Sequence, residues 1–181
     1  MSVKSKVLEI GLVIMLGVSA SFAVPAQRTG AEELTRKIRR ELVTLPYYGV
    51  FDNLAFRVDG NTVTLLGQVV RPTTRSDAAR RVARLDGVSN VVNRIEVLPL
   101  SSFDDSIRRS TYRAIYRQGS LYRYMLGANP SIRIIVNRGH VTLEGVVSSP
   151  MDSQLAYMAA RGVSGVFSVR NNLRIDRGGP Y

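Results

Sequence analysis

Arg109, Arg113 and Arg117 stand at i, i+4 and i+8, with Arg108, Tyr112 and Tyr116 beside them, and no acidic residue occurs between Ser106 and Asn137. On a helix this spacing sets the three guanidinium groups in one row. A guanidinium fork pairs bidentately with phosphate or carboxylate oxygens. Tyrosine suits a boundary that is apolar on one side and wet on the other. The chemistry of the cluster is therefore contact with an anionic surface, which makes Arg108, Arg109, Tyr112, Arg113, Tyr116 and Arg117 the candidate lipid-binding residues. The same pattern also fits a helix laid against the rest of the chain, with its tyrosines buried and its arginines solvated.

Other residue types offer less. His140 is the only histidine, and there is no cysteine, so the sequence holds no set of soft ligands for a metal. Ser148, Ser149 and Ser153 lie near a predicted helix start, where capping accounts for them, and no His/Asp arrangement accompanies them. Asp86, Glu144 and Asp152 are isolated from one another, so no carboxylate pair is expected. No Gly-x-x-x-x-Gly-Lys phosphate loop is present. Neither a catalytic site nor a metal or cofactor is expected.

The elements that must position these residues come from a repeat. Val63-Thr64-Leu65-Leu66-Gly67-Gln68-Val69 returns 78 residues later as Val141-Thr142-Leu143-Glu144-Gly145-Val146-Val147. At that offset, without gaps, identities also fall at Val58/Val136, Pro72/Pro150, Ala78/Ala156, Gly87/Gly165, Val88/Val166, Val91/Val169 and Asn93/Asn171. Most of these are residues that set backbone shape, so the duplication is structural. In the first copy Leu34, Ile38 and Leu42 mark a helix over 31–42. Asp59-Gly60-Asn61 turns a hairpin between Phe56-Arg57-Val58 and 63–69. Pro72 opens a helix to Leu85, and 88–97 forms a third strand. Gly67 inside a strand signals a bulge or a close helix approach. Gly87 stands where a helix C-terminus takes a left-handed residue, and Gly162 to Gly165 closes the corresponding helix of the second copy. That copy otherwise repeats the order, with a helix from about Asp104, a hairpin over 132–147 and a helix from Pro150. Its last strand spans 166–175, and its connection before the hairpin is about five residues longer. The expected fold class is α+β: two tandem α-β-β-α-β units at 31–100 and 102–176. Each is a three-stranded mixed sheet with two helices on one face and a right-handed crossover. Residues 177–181 form a loose tail.

The chain opens with Lys4, Lys6, an apolar run from Ile10 to Val18 and small residues thereafter. A charged start, short apolar centre and small-residue end describe a cleavable secretory signal peptide over 1–26, cut after Ala23 or Ala26; an uncleaved anchor is the rival reading. The run is short of the roughly 20 residues a spanning helix needs. The net charge of +11, carried by arginine except at Lys4, Lys6 and Lys37, points to anionic partners, although high-GC codon usage also enriches arginine. Export makes nucleic acid an unexpected partner.

The pattern of both copies (an Asn/Asp-Gly turn, Val-Thr-Leu-x-Gly-x-Val, Pro, an alanine-rich helix, Gly-Val-x-x-Val-x-Asn) resembles the BON domain, the bacterial osmotically inducible and nodulation domain. Gly67/Gly145, Gly87/Gly165 and Asn93/Asn171 carry that resemblance, which covers nearly all of 31–176. It implies a periplasmic, non-enzymatic protein that binds anionic phospholipid, supports envelope integrity under osmotic stress, and sits peripherally at a membrane. A protein–protein or self-association module of the envelope, working through a sheet edge or the tyrosine-rich surface, is the alternative. The second copy departs at its turn, where Arg138-Gly139 replaces Gly60-Asn61.

Overall fold

The structure, a computed structural model, describes residues 26–127 and 129–176. The expected signal peptide, up to Val24-Pro25, and the expected tail at 177–181 lie outside the described residues. Helix α1 (Ala26–Val43) precedes the hairpin β1 (Asn53–Asp59) and β2 (Thr62–Val69). Helix α2 (Pro72–Val82) and two short strands, β3 (Asn90–Asn93) and β4 (Glu96–Val97), complete the first unit. The second unit has helix α3 (Ser102–Tyr116), a 3-10 segment (Gly119–Met125), the hairpin β5 (Ile132–Asn137) and β6 (His140–Val147), helix α4 (Pro150–Arg161) and strand β7 (Ser168–Ile175). The class is α+β. In each unit the hairpin is antiparallel and the strand after the crossover helix runs parallel to the hairpin's second strand.

Each sheet buries one face under its helices. In the first unit Ile38 and Leu42 of α1 meet Val63, Leu65 and Val69 of β2 and Ala78 and Val82 of α2. In the second, Ile107 and Ile115 of α3 meet Ile134, Val141, Leu143 and Val147, closed by Ala156 and Ala160 of α4. Alternation along β2 and β6 follows from the two-residue period of a strand. The extra connection before β5 is the 3-10 segment, which drops Leu121 and Tyr124 into that core.

Four features differ from the sequence expectation. The third strand of the first unit is not continuous: it breaks at Arg94-Ile95, giving a four-stranded description of that sheet. There Ile95 turns into the core at 2 % exposure and its N–H donates to Asn93 Oδ1. Helix α1 starts at Ala26, earlier than expected. The strand glycines Gly67 and Gly145 answer to no helix. Each holds a positive φ (+113° and +121°), and an added Cβ would collide with a backbone carbonyl at the entry to the preceding strand, Asn53 O or Ser131 O. Only glycine fits that approach.

The fourth difference concerns Gly87 and Gly165, which do not end their helices. Helices α2 and α4 cap earlier, at Ala83 and Gly162, both in right-handed conformation. Tight turns then carry the chain onward, closed by Leu85 N to Val82 O and Val88 N to Leu85 O in the first unit. The second unit repeats them with Val163 N to Ala160 O and Val166 N to Val163 O. Gly87 and Gly165 lie inside the last of these turns, at φ of +93° and +85°, and so steer the chain into the final strand. Gly165 is exposed, and an added Cβ there would meet the Phe103 ring at 3.2 Å.

Hairpin turns differ as their sequences require. Gly60 alone is at positive φ in the first (+56°), whereas both Arg138 (+51°) and Gly139 (+78°) are in the second. Moving the glycine by one position has changed the turn type, with the pairing beyond it kept. The repeated asparagines do the same work twice. Asn93 Nδ2 donates to Arg75 O and Asn171 Nδ2 to Ser153 O, each stitching the crossover helix to the last strand.

Candidate functional site

Helix α3 is held at its N-terminal end by two sets of contacts. Ser101 Oγ caps it by accepting from Asp104 N at 3.2 Å. Asp104 is 1 % exposed, and its carboxylate accepts the N–H groups of Arg138 and Gly139, both at 2.8 Å. That binds the helix start to the β5–β6 turn through two charge-assisted hydrogen bonds. From this anchor the helix presents Ile107, Thr111 and Ile115 inward.

The structure divides the six candidate residues. Arg108 is 3 % exposed; it pairs with Asp105 and donates to Val136 O at 2.7 Å. Tyr116 is 7 % exposed and donates to Ile132 O at 3.1 Å. Burial pushes its hydroxyl well above the ordinary tyrosine value, so it stays a neutral donor. Both are therefore part of the interior, correcting their assignment to a contact surface: adjacency in the chain set them beside the arginine row, but one residue is about 100° of helix turn, so they lie around the helix from it. Arg109, Arg113 and Arg117 are exposed. Among the described residues none of the three meets a carboxylate. Arg109 and Arg113 reach only Ser106 Oγ and Ser110 Oγ, at 3.4 and 3.3 Å.

Tyr112 lies at the edge of this row, half-buried. Its hydroxyl donates to Met125 Sδ, and its ring stands edge-on to Phe51 at 6.3 Å. Phe51 belongs to the first unit. With Val50 it lines an open hollow whose other walls are Arg109, Tyr112 and Arg113. The site is thus an apolar depression bordered by two solvated guanidinium groups and built from both copies of the repeat.

The loop that supplies Val50 and Phe51 has its own scaffold. Asp52, 3 % exposed, accepts from Gly49 N at 2.9 Å and Val70 N at 2.7 Å. Burial pushes the Asp52 carboxyl upward. Val50 O then accepts from Ile134 N at 2.8 Å, on the outer edge of β5. Arg133 donates to Gly49 O at 2.9 Å and lies 4.5 Å over the Tyr48 ring. This docking explains why β5 is buried along nearly its whole length while β1 is not. Sequence reasoning passed over Val50, Phe51 and Asp52, since nothing in a short polar-apolar loop announces what it will dock against.

The remaining sequence candidates are placed without chemistry. Gly67, Gly87, Asn93, Gly145, Gly165 and Asn171 shape strand approaches, turns and helix-to-strand stitches, as described above, and none lines the hollow. His140 is exposed at the hairpin tip, 2.8 Å from Ser168 Oγ. Ser149 caps α4, and its hydroxyl donates to Asp152, which also takes the Tyr124 hydroxyl and the Arg123 guanidinium. Among the described residues no group of His, Asp and Glu could hold a metal ion. No helix among them is long and apolar enough to cross a membrane.

Comparison with known proteins supplies the relationship. A search of curated proteins finds no match. Among solved structures, the C-terminal domain of CdsD, described as the structural protein of the type III secretion system of Chlamydia trachomatis, aligns at 11% identity and a TM-score of 0.29. That alignment covers 80% of this chain and 98% of that one. A second structure of CdsD gives the same identity and TM-score, with 94% of its chain covered. The BON domain family model matches twice, at residues 30–99 and 104–177. With both copies of the repeat matched, this chain belongs to the BON domain family.

Proposed function

We propose that this is a non-enzymatic protein of the bacterial envelope, exported to the periplasm by its N-terminal segment, that binds anionic phospholipid peripherally and supports envelope integrity. One observation carries the reading: Arg109, Arg113 and Arg117 are solvated without a carboxylate partner, and two of them border an apolar hollow. A membrane surface offers both complements, phosphate oxygens for the guanidinium forks and acyl chain for Val50, Phe51 and Tyr112. Basic residues at an anionic surface contribute about 1 kcal/mol each, so the row is worth about 3 kcal/mol, roughly a hundredfold in binding. Helix α3 also packs on the first unit through Tyr112, so the contact surface is built across the two copies.

Co-sedimentation with vesicles tests this. The chain is expected to pellet with vesicles rich in phosphatidylglycerol and to stay soluble with phosphatidylcholine alone. Replacing Arg109, Arg113 and Arg117 together by Glu is expected to abolish pelleting with the fold intact. Equal pelleting on neutral vesicles, or a triple variant that binds as well as the parent, contradicts the reading.

A further inference from the structure

Strand β7 differs from its first-unit counterpart. That counterpart is broken into β3 and β4, and such an interruption blunts an edge. On the other side of the second sheet, β5 has its outer edge met by Val50 O. Strand β7 runs unbroken for eight residues, pairs with β6 alone, and is exposed or half-exposed throughout. Asp176 N donates to Val147 O, so by strand alternation the backbone groups of Val169, Asn171, Leu173 and Ile175 face away from β6. The Leu173 N–H is taken by Asn171 Oδ1 at 3.2 Å; the others carry the pairing potential of an open edge.

Side chains along this edge define what would lie beside it. Arg170 and Arg174 are exposed on the face of the sheet away from its own helices, and residues 168–175 contain no acid. Arg170 stands beside a hollow that includes Gln68, and Arg174 beside one that includes Tyr48 and Phe56 of the first unit. The nearest acidic neighbour across the ladder, Glu144, accepts from Asn172 Nδ2 at 2.7 Å. On the helix side, a hollow beside the start of β7 is lined by Tyr157, Arg161, Val166, Phe167 and Val169, with Phe167 72 % exposed. At the aligned positions the first unit carries Ser89 for Phe167, Val92 for Arg170 and Glu96 for Arg174. The basic and aromatic character is specific to the second copy.

We propose that β7 and the adjacent hollow against α4 bind an extended acidic segment of a partner protein by strand addition. Its acidic side chains meet Arg170 and Arg174, and its alternating apolar side chains enter the hollow at Phe167. Main-chain hydrogen bonds supply the affinity of such complexes and alternate side chains their specificity. Self-pairing of two β7 strands is disfavoured, because it sets Arg170 and Arg174 of both chains on one face with only Asp176 at the strand end to offset them.

The test uses the full chain and a fluorescent hexapeptide of alternating glutamate and valine, read by anisotropy, with a lysine–valine hexapeptide as the control. The glutamate peptide is expected to bind saturably, with backbone amide shifts confined to β7 and α4. Arg170→Glu combined with Arg174→Glu is expected to weaken it about tenfold or more and to create binding of the lysine peptide. Val169→Pro removes one outward N–H while leaving the β6 ladder whole. Because Val169 also packs on the core, Val169→Ala serves as its control, and the proline variant is expected to bind more weakly than the alanine variant. The Arg109/Arg113/Arg117→Glu variant is expected to bind the peptide normally, which separates this edge from the lipid surface. Absence of saturable binding up to about 1 mM, binding indifferent to Arg170 and Arg174, or a dimer that protects the β7 amides would each overturn the proposal.

Discussion

Arg108 and Arg109 are adjacent in the chain and meet different environments: the first is 3 % exposed and bonded to Val136 O, the second is solvated. Truncating Arg108 strips a buried carbonyl and Asp105 of their partner, so Arg108→Ala is expected to lower unfolding free energy by about 2–3 kcal/mol. Arg109→Ala is expected to stay within about 0.5 kcal/mol. Urea unfolding of the two variants checks both. The sequence could name an arginine row but could not choose which arginine turns inward, because the choice depends on the Val136 carbonyl at the outer edge of β5 beneath the helix. Asp152 gives a pH-dependent counterpart. Burial raises its carboxyl, but hydrogen bonds from Tyr124, Ser149 and Arg123 outweigh that and hold it below the ordinary value of 3.8. A depressed carboxylate stabilises fully above its unfolded value and loses that contribution as pH falls through the folded one. The stability gap between the parent and Asp152→Asn is therefore expected to be present at neutral pH and to shrink on acidification below about pH 4.

At the scale of elements, the repeat was legible because its identities are backbone-shaping residues. Gly67 and Gly145 mark the same close approach, and Asn93 and Asn171 the same stitch. Gly87 and Gly165 mark the same turn, although the sequence could not show that the helices stop short of them. Either Gly67→Ala or Gly145→Ala is expected to cost about 2 kcal/mol or more, since a positive φ and a carbonyl collision combine. What the sequence left illegible was the docking of the 44–52 loop on β5. That contact joins residues 84 apart, Gly49 and Arg133, through a backbone carbonyl and a cation–aromatic stack, neither of which has a periodic signature. Arg133, 8 % exposed, bridges the two units there, beside Asn129, whose Nδ2 donates to Val43 O at 3.2 Å. Arg133→Ala is expected to destabilise the chain by about 2 kcal/mol and to raise protease cleavage in 98–102, measured by limited digestion. Unchanged digestion would mean that the loop docks without it.

For the whole molecule, two marginal units are joined because each supplies what the other lacks. Small units of this length bury only about 60% of their chain surface, and here β5 gains its cover from the neighbouring copy. The same docking sets Phe51 beside the arginine row, so the hollow exists only when the copies are joined. The net charge of +11 predicts salt-sensitive vesicle binding; raising ionic strength from about 0.05 to about 0.5 M is expected to weaken it about tenfold or more. The chain contains no tryptophan, so Phe51→Trp installs a single emission reporter in the hollow. On addition of phosphatidylglycerol vesicles the account predicts a blue-shifted emission that brominated acyl chains quench, and no change with phosphatidylcholine vesicles. Emission that stays unshifted and unquenched while the protein is bound to anionic vesicles would contradict it.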